Sequence, residues 1–368
     1  MKVIVTGTRG IPDIQGGVET HCEELYPRLT KLGCEVTVIR RSCYLTSDHK
    51  IKSYKGVELK DIYAPRQKST EALLHTLLSV FCAKRAKADI LHIHAIGPSV
   101  MTPLARLLGL RVVVTHHGRD YDRQKWGKIA KTVLRAGEYL GAKYANRMIV
   151  ISEDINNTIK QKYNRFDANL IYNGVNIPVK SIETSYIQKL GLTPQKYIFT
   201  LGRFVEEKGF HGLIEAFAKL SGKEHKLVIA GDADHSDTYS AYLKQLAKEN
   251  NVILTGFIKG EQLNELFSNA KLFVLPSFHE GLPISLLEAM SYDIDVLVSD
   301  ISANLEVKLP DGYYFQCGNW DDLKSKLEEK LSQKEHIKYD LSMYNWDSIA
   351  AQTADVYRRL AYNNHLPQ

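Results

Sequence analysis

Cysteine is scarce. Cys22, Cys34, Cys43, Cys82 and Cys317 are the only five in 368 residues, and no two form a CxxC pair. That usage excludes a disulfide framework and fits free thiols in a reducing compartment. Long apolar runs are missing too: the longest, such as LLHTLLSVFCA, fall short of the roughly 18 residues that a membrane-spanning helix needs. The N-terminus, MKVIVTGTRG, passes straight into a strand and turn without the regions of a leader peptide, so a cytoplasmic location is expected. No solenoid repeat or low-complexity tract is visible. Charge of one sign is also lacking, since 48 Lys and Arg against 42 Asp and Glu leave only +6. This suits an anionic partner without choosing among nucleotide, lipid headgroup and nucleic acid. Because the basic residues are interleaved with acids and lack aromatic platforms, nucleic acid is the weakest of these.

What is present is an ordinary globular composition, 44% hydrophobic and 24% charged, in a chain long enough for two domains. Strands read at KVIVTGT, EVTVIRR, ADILHIHA, RVVVTHHG and RMIVISE, then again at KYIFTLGR, KLVIAGD, NVILTGF, KLFVLPS and DVLVSD. Near-continuous apolar strands alternating with helical patterns imply parallel sheets covered on both faces. The alternation occurs twice, so the predicted fold is α/β, with two doubly wound Rossmann-like domains facing across a cleft. The seam falls near IYNGVNIP, where Asn173-Gly174 marks a turn and Pro178 stops regular pairing. It divides an N-terminal domain, 1–176, from a C-terminal domain, 177–345. In the first helix, Val18, Cys22, Leu25, Leu29 and Leu32 form one stripe that Gly33 ends. Near the other end, Trp346, Ile349, Ala350, Ala354 and Tyr357 recur at near-helical spacing and need an apolar surface to cover.

Open parallel sheets bind ligands beyond the carboxyl ends of their strands, which draws attention to the polar residues that follow each strand. In PSFHEGLPISLLEAM, Pro283 suits the first turn of a helix. The N–H groups around Gly281 and Leu282 then suit a phosphate, helped by the helix dipole. Glu280 stands just before that site and Glu288 inside the helix. Carboxylates repel a diphosphate unless hydroxyls donate to them and a cation is near. A nucleotide sugar meets both conditions. GRFVEEKG supplies the cations: Arg203 can hold phosphate oxygens bidentately and Lys208 acts as a point charge, while Glu206 and Glu207 read as solvated. The competing reading is a surface Glu280 and a Glu288 paired with an arginine at the core edge.

Other features are weaker. His92 and His94 share one face of a strand, and His116 and His117 follow the next. Four imidazoles could bind zinc, but the usual Cys or acid companions are missing, so no metal is expected. Asp232 and Asp234 have a D-x-D spacing read as coincidental, and Gly7 and Gly10 are wrongly spaced for a dinucleotide fingerprint. Over 124–147, Trp126, Ile129, Val133 and Leu140 alternate with Lys125, Lys128, Lys131 and Arg135. A basic amphipathic helix of this kind either lies on an anionic membrane surface or packs on the first domain with its charges in water.

Arg203 with Lys208, and Glu280 with Glu288, together resemble the donor site of the family 4 retaining glycosyltransferases of GT-B fold. GGVETHCEELYPRL, THHGRD, NGVNIP, SDISANLE and YNWDSIAAQTADVYRRL agree. TGTRGIPDIQGGVETH with THHGRDYDRQKWG is similar to a bacterial subgroup that builds surface polysaccharides. The resemblance implies that Glu280 contacts the transferred sugar, Glu288 the ribose, and Arg203 and Lys208 the diphosphate. It further implies that Gly16 and Gly17 let a loop approach the donor, that His117 lies beside the reacting sugar, and that a last helix, 346–362, rejoins the first domain. The implied substrates are a nucleotide-sugar donor, with a UDP-hexose favoured, and a sugar acceptor that is lipid-linked or an oligosaccharide; no cofactor is implied. One departure stands out: AMSYDIDV carries Asp293 and Asp295 where the family usually has Gly and Pro. The alternatives are an epimerase or hydrolase on the same architecture, or a non-catalytic nucleotide-sugar-binding protein.

Overall fold

The computed structural model describes residues 1–46, 49–67, 70–122, 127–221, 224–234, 237–333 and 337–362. The chain forms two compact units, Met1–Gly174 with Tyr344–Gln368, and Val175–Met343. Lys125 and Trp126 of the basic segment lie outside the described residues.

The first unit is built on strands β1 (Lys2–Thr6), β2 (Glu35–Arg41), β3 (Ser53–Tyr54), β4 (Val57–Ile62), β5 (Ile90–His94), β6 (Val112–His116), β7 (Arg147–Val150) and β8 (Asn169–Leu170). They lie in the order β3-β4-β2-β1-β5-β6-β7-β8. Only the β3–β4 pair is antiparallel among these. The order reverses between β1 and β5, so the carboxyl ends of those strands flank the crevice where such sheets take ligands. Helices α1 (Gly17–Lys31), α2 (Glu71–Arg85), α3 (Thr102–Leu107), α4 (Lys128–Tyr144) and α5 (Glu153–Tyr163) connect the strands. Cys22, Leu25 and Leu29 of α1 are buried, whereas Leu32 is 45% exposed. The helix ends at Lys31, so the last member of the expected stripe stands outside the core.

The second unit carries β9 (Tyr197–Leu201), β10 (Lys226–Ala230), β11 (Ile253–Gly256), β12 (Leu272–Leu275), β13 (Asp295–Ser299) and β14 (Tyr314–Phe315). Their order is β11-β10-β9-β12-β13-β14, with all named pairs parallel. Here the reversal lies between β9 and β12. Helices α6 (Ser185–Lys189), α7 (Phe210–Ala218), α8 (Thr238–Glu249), α9 (Gly260–Asn269), α10 (Ile284–Ser291), α11 (Ser302–Leu305) and α12 (Trp320–Ser332) cover the sheet. Both departures at AMSYDIDV find local partners. Asp293 takes the left-handed φ of 52° that a glycine would favour and pairs with Lys180 at 2.9 Å. Asp295 opens β13 as a buried acid, 3.6 Å from the equally buried Lys330 ammonium.

The chain then returns to the first unit as α13 (Trp346–Tyr362). Trp346, Ile349, Ala350, Ala354 and Tyr357 share a core cluster with Val3, Leu25, Tyr26 and Leu29. Asp347 receives a 2.9 Å bond from Arg28 of α1. Trp346 packs so closely on Gly174 that a β-carbon there would stand 2.5 Å from the indole Cδ2.

Candidate active site

In the second unit, β9 runs out at Leu201 and Arg203 follows. Arg203 Nη1 lies 2.9 Å from Asp234 Oδ2, and Lys244 Nζ lies 2.8 Å from Asp232 Oδ1. The D-x-D acids are therefore partners of two side-chain cations. Lys208 closes a single 3₁₀ turn, Glu206–Lys208, and Gly209 then takes a φ of 66° to start α7. A side chain at Gly209 would run into the Pro276 carbonyl, so glycine is what lets this turn approach the end of β12. Phe278 N–H donates to the Glu207 carbonyl at 2.8 Å, tying the two loops together. Glu207 itself is buried, which corrects the solvated reading; Glu206 is exposed as expected.

The same approach brings Lys208 to Glu280. The ammonium donates to Glu280 Oε1 at 2.6 Å, and Ser277 Oγ donates to the same oxygen at 2.6 Å. Burial pushes the Glu280 pKa up, but the Lys208 charge and hydrogen bond, with Ser277, outweigh it and hold the carboxyl below its ordinary range. Ser277 is itself fixed, because Ser299 Oγ donates to its carbonyl at 2.5 Å and Asn304 Nδ2 donates to the Ser299 carbonyl at 2.8 Å.

Pro283 precedes α10 as its N-cap, rather than sitting in the first turn, and its carbonyl accepts from Leu286 and Leu287 N–H at 3.2 and 3.3 Å. Leu286, Leu287, Ala289 and Met290 are buried, while Ser285, Glu288 and Tyr292 are half-buried. Their i, i+3, i+7 spacing puts these three on one face, so Glu288 escapes the leucines. Burial, with the Glu288 charge, pushes the Tyr292 hydroxyl up to about 12.

Within the first unit by itself, the candidates lie in the loop after β1 and at the end of β6. Gly16 has a φ of 148° and precedes α1, and a side chain there would collide with the Glu19 carboxylate. Buried Glu19 accepts from Thr8 Oγ1 at 3.1 Å and from Arg9 N–H at 2.9 Å, closing the loop on itself. Among the described residues, and leaving aside its chain neighbours and its own helix backbone, Gly17 has no atom within 4 Å of the place a β-carbon would take.

His117, after β6, lies with Nε2 2.8 Å from His94 Nδ1, and its ring centroid is 4.9 Å from that of His21. His21 Nδ1 is 2.9 Å from Asn173 Oδ1. Burial, then the neighbouring His21, His92 and His116, push His117 well below the usual imidazole range. Burial likewise brings His21 down to about 4, against a smaller opposing effect of Asn173. Both are neutral donors or acceptors near pH 7. His116 turns elsewhere, 2.8 Å from Glu138 Oε1, whose second oxygen accepts from Tyr163 OH at 2.6 Å. His92 meets Thr115 and Tyr357, at 2.7 and 2.5 Å. The four histidines singled out by sequence thus divide, and the group that converges is His21, His94 and His117. Glu19, His21 and Asn173 were not singled out, although all three lie inside the quoted segments GGVETH and NGVNIP.

On α4, Gly137, Glu138, Gly141 and Ala142 form the buried face. Lys128 and Arg135 are exposed and Ile129 is 84% exposed. No helix among the described residues is long and apolar enough to cross a membrane.

Two protein families match this chain: Glycosyltransferase Family 4 over residues 15–178 and Glycosyl transferases group 1 over residues 183–341. The chain belongs to these family 4 glycosyltransferases and has their GT-B fold. An uncharacterized glycosyltransferase of Methanocaldococcus jannaschii is 27% identical over 97% of this chain and 98% of its own. The UDP-Gal:alpha-D-GlcNAc-diphosphoundecaprenol alpha-1,3-galactosyltransferase of Escherichia coli is 28% identical over 71% of each chain. Among solved structures, the sucrose-phosphate synthase of Thermosynechococcus elongatus superposes with a TM-score of 0.80 at 20% identity, covering 98% of both chains.

Proposed function

We propose that this glycosyltransferase moves a hexose from a UDP-sugar to a lipid-linked or oligosaccharide acceptor in bacterial surface-polysaccharide synthesis, with retention and without a metal. The observation that carries the donor assignment is the pairing of Lys208 with Glu280 at the β9/β12 reversal, with Arg203 on the same loop after β9. As the sugar C1–O bond breaks, its electron pair passes to the diphosphate. Arg203, Lys208 and the α10 N-terminus beside Gly281 and Leu282 neutralise that charge, an electrostatic contribution larger than a single acid or base supplies. The acceptor oxygen bonds C1 on the same face and gives its proton to the leaving phosphate. Glu280 accepts from sugar hydroxyls, Glu288 from the ribose, and Gly16 and Gly17 leave room for the donor. His117, held neutral by burial, donates a hydrogen bond to the reacting sugar or leaving phosphate.

The E. coli relative, whose name specifies UDP-Gal and a diphosphoundecaprenol acceptor, supports the choice of substrates. Exposed Ile129 between Lys128 and Lys131 supports peripheral contact of α4 with an anionic bilayer on the cytoplasmic side.

The test is incubation with a panel of UDP-hexoses and polyprenyl-diphosphate-linked N-acetylglucosamine in EDTA, followed by product NMR. Acceptor-dependent release of UDP with an α-glycoside from an α-donor is the expected result. Donor consumed without acceptor would make the protein an epimerase or hydrolase. Donor bound but intact with every acceptor would make it a binding protein.

A further inference from the structure

The histidines at the mouth of the first sheet have a property that sugar transfer does not require. One ring nitrogen from each of His21, His94 and His117 lies within 4.8 Å of the other two. Ring centroids are 4.9 Å apart for His21 and His117, 5.1 Å for His94 and His117, and 5.6 Å for His21 and His94. Tetrahedral zinc with Zn–N bonds of about 2.0–2.1 Å needs ligand nitrogens roughly 3.4 Å apart. The His94–His117 contact of 2.8 Å has to open slightly and His21 to close in.

The outer contacts already favour coordination. Asn173 Oδ1 can only accept, so it holds the His21 proton on Nδ1 and leaves the Nε2 lone pair bare. Tyr26 OH meets His94 Nε2, the nitrogen that takes the proton when Nδ1 turns to an ion. Such second contacts fix tautomer and ring orientation at metal sites.

We propose that His21, His94 and His117 form a site for a borderline divalent transition ion, with zinc, cobalt or nickel as the fitting class and a water or phosphate oxygen in the fourth position. Hard ions such as magnesium prefer oxygen ligands and are excluded by the donor set. The ion engages the nitrogen through which His117 faces its neighbours, so it acts as an inhibitor and not as a cofactor. That consequence rests on the role proposed for His117; the site itself does not.

Cobalt(II) titration of the full chain in a non-chelating buffer, followed by visible absorption, tests the site without any assay of transfer. One equivalent should give a tetrahedral ligand-field spectrum that zinc displaces and magnesium does not. Asn173→Ala, which keeps all three ligands, should weaken cobalt about 10–100-fold, and His21→Ala should abolish the spectrum, whereas His49→Ala should leave it intact. Melting curves confirm that each variant is folded. A featureless titration, or a spectrum that survives both His21→Ala and His117→Ala, overturns the site. Stoichiometric binding with undiminished transfer overturns the inhibitory role alone.

Discussion

Lys208 Nζ and Glu280 Oε1 stand 2.6 Å apart, each side chain mostly buried, at 16% and 12% exposure. Their pairing joins the loop after β9 to the loop after β12. Removing one partner from such a pair strands the other, which costs more than the pair itself contributes. Lys208→Ala should therefore lower both the melting temperature and UDP affinity. Adding Glu280→Gln to it should restore most of the melting temperature and none of the affinity. Calorimetry beside isothermal titration separates these. A double variant no more stable than Lys208→Ala would show that the pair is not what holds the loops.

Arg203→Ala should weaken UDP about 10–100-fold, the scale of a lost charge-assisted hydrogen bond. Glu280→Gln alone should reduce transfer and change UDP affinity little. Equal loss of UDP binding in these two variants would move Glu280 from the sugar to the diphosphate.

Gly16 and Gly17 predict opposite kinds of damage. Gly16→Ala forces a side chain at a φ of 148° into Glu19, so stability should fall. Gly17→Ala has open space and replaces glycine in the first turn of a helix. It should match or slightly exceed wild-type stability while raising the KM for donor, because the added methyl meets the ligand. An unchanged KM in a stable Gly17→Ala variant would remove Gly17 from the donor site.

Acid should destabilise the protein earlier than its carboxylates would. Burial first of all lowers His21 to about 4, and His92 and His75 to about 3, with the Arg41 charge adding to the effect at His75. Below an ordinary imidazole pKa of about 6.5 the unfolded chain binds protons that these native histidines refuse. Their contribution is thus complete above about pH 6.5 and is lost on acidification toward pH 4, at up to roughly 1.4 kcal/mol per pH unit for each group. His75→Leu should flatten the dependence of melting temperature on pH across that window. A wild-type melting temperature constant from pH 7 to 4.5 would contradict the neutral buried state.

Donor binding should survive chelation. UDP should raise the melting temperature in EDTA as much as in manganese, by mass action on the native state. Asp232→Asn should leave that rise unchanged. Strict manganese dependence would return Asp232 and Asp234 to a metal-binding role.

The central strands were legible because β1, β5, β6, β9, β10, β12 and β13 are buried along nearly their whole length and read as continuous apolar runs. Four strands toward the sheet edges were not. β3, β8 and β14 have two residues each, and β4, VELKDI, alternates polar and apolar at the sheet's side. Pro283 and Leu32 missed their expected places by a single position at a helix end, where pattern is weakest. The strand-end rule led to Arg203, Lys208 and Glu280, yet the bond between Lys208 and Glu280 depends on loops that glycine geometry folds together. His21 and Asn173 escaped notice because they meet across 152 residues of chain, a separation that no local periodicity encodes.

The chain leaves the first unit at Gly174 and re-enters it at Tyr344, and this order constrains biosynthesis. All strands of the second unit emerge from the ribosome as one uninterrupted stretch, so that unit can fold as soon as it is exposed. The first unit cannot. Leu25, Tyr26 and Leu29 must wait for their α13 partners until that helix has been translated after the whole of the second unit. For those roughly 170 residues, about 10 to 30 s at roughly 5–20 residues per second, the nascent chain displays an unfinished apolar face. That interval makes the first unit the natural client of ribosome-associated chaperones, and the step at which low temperature during expression gives most benefit.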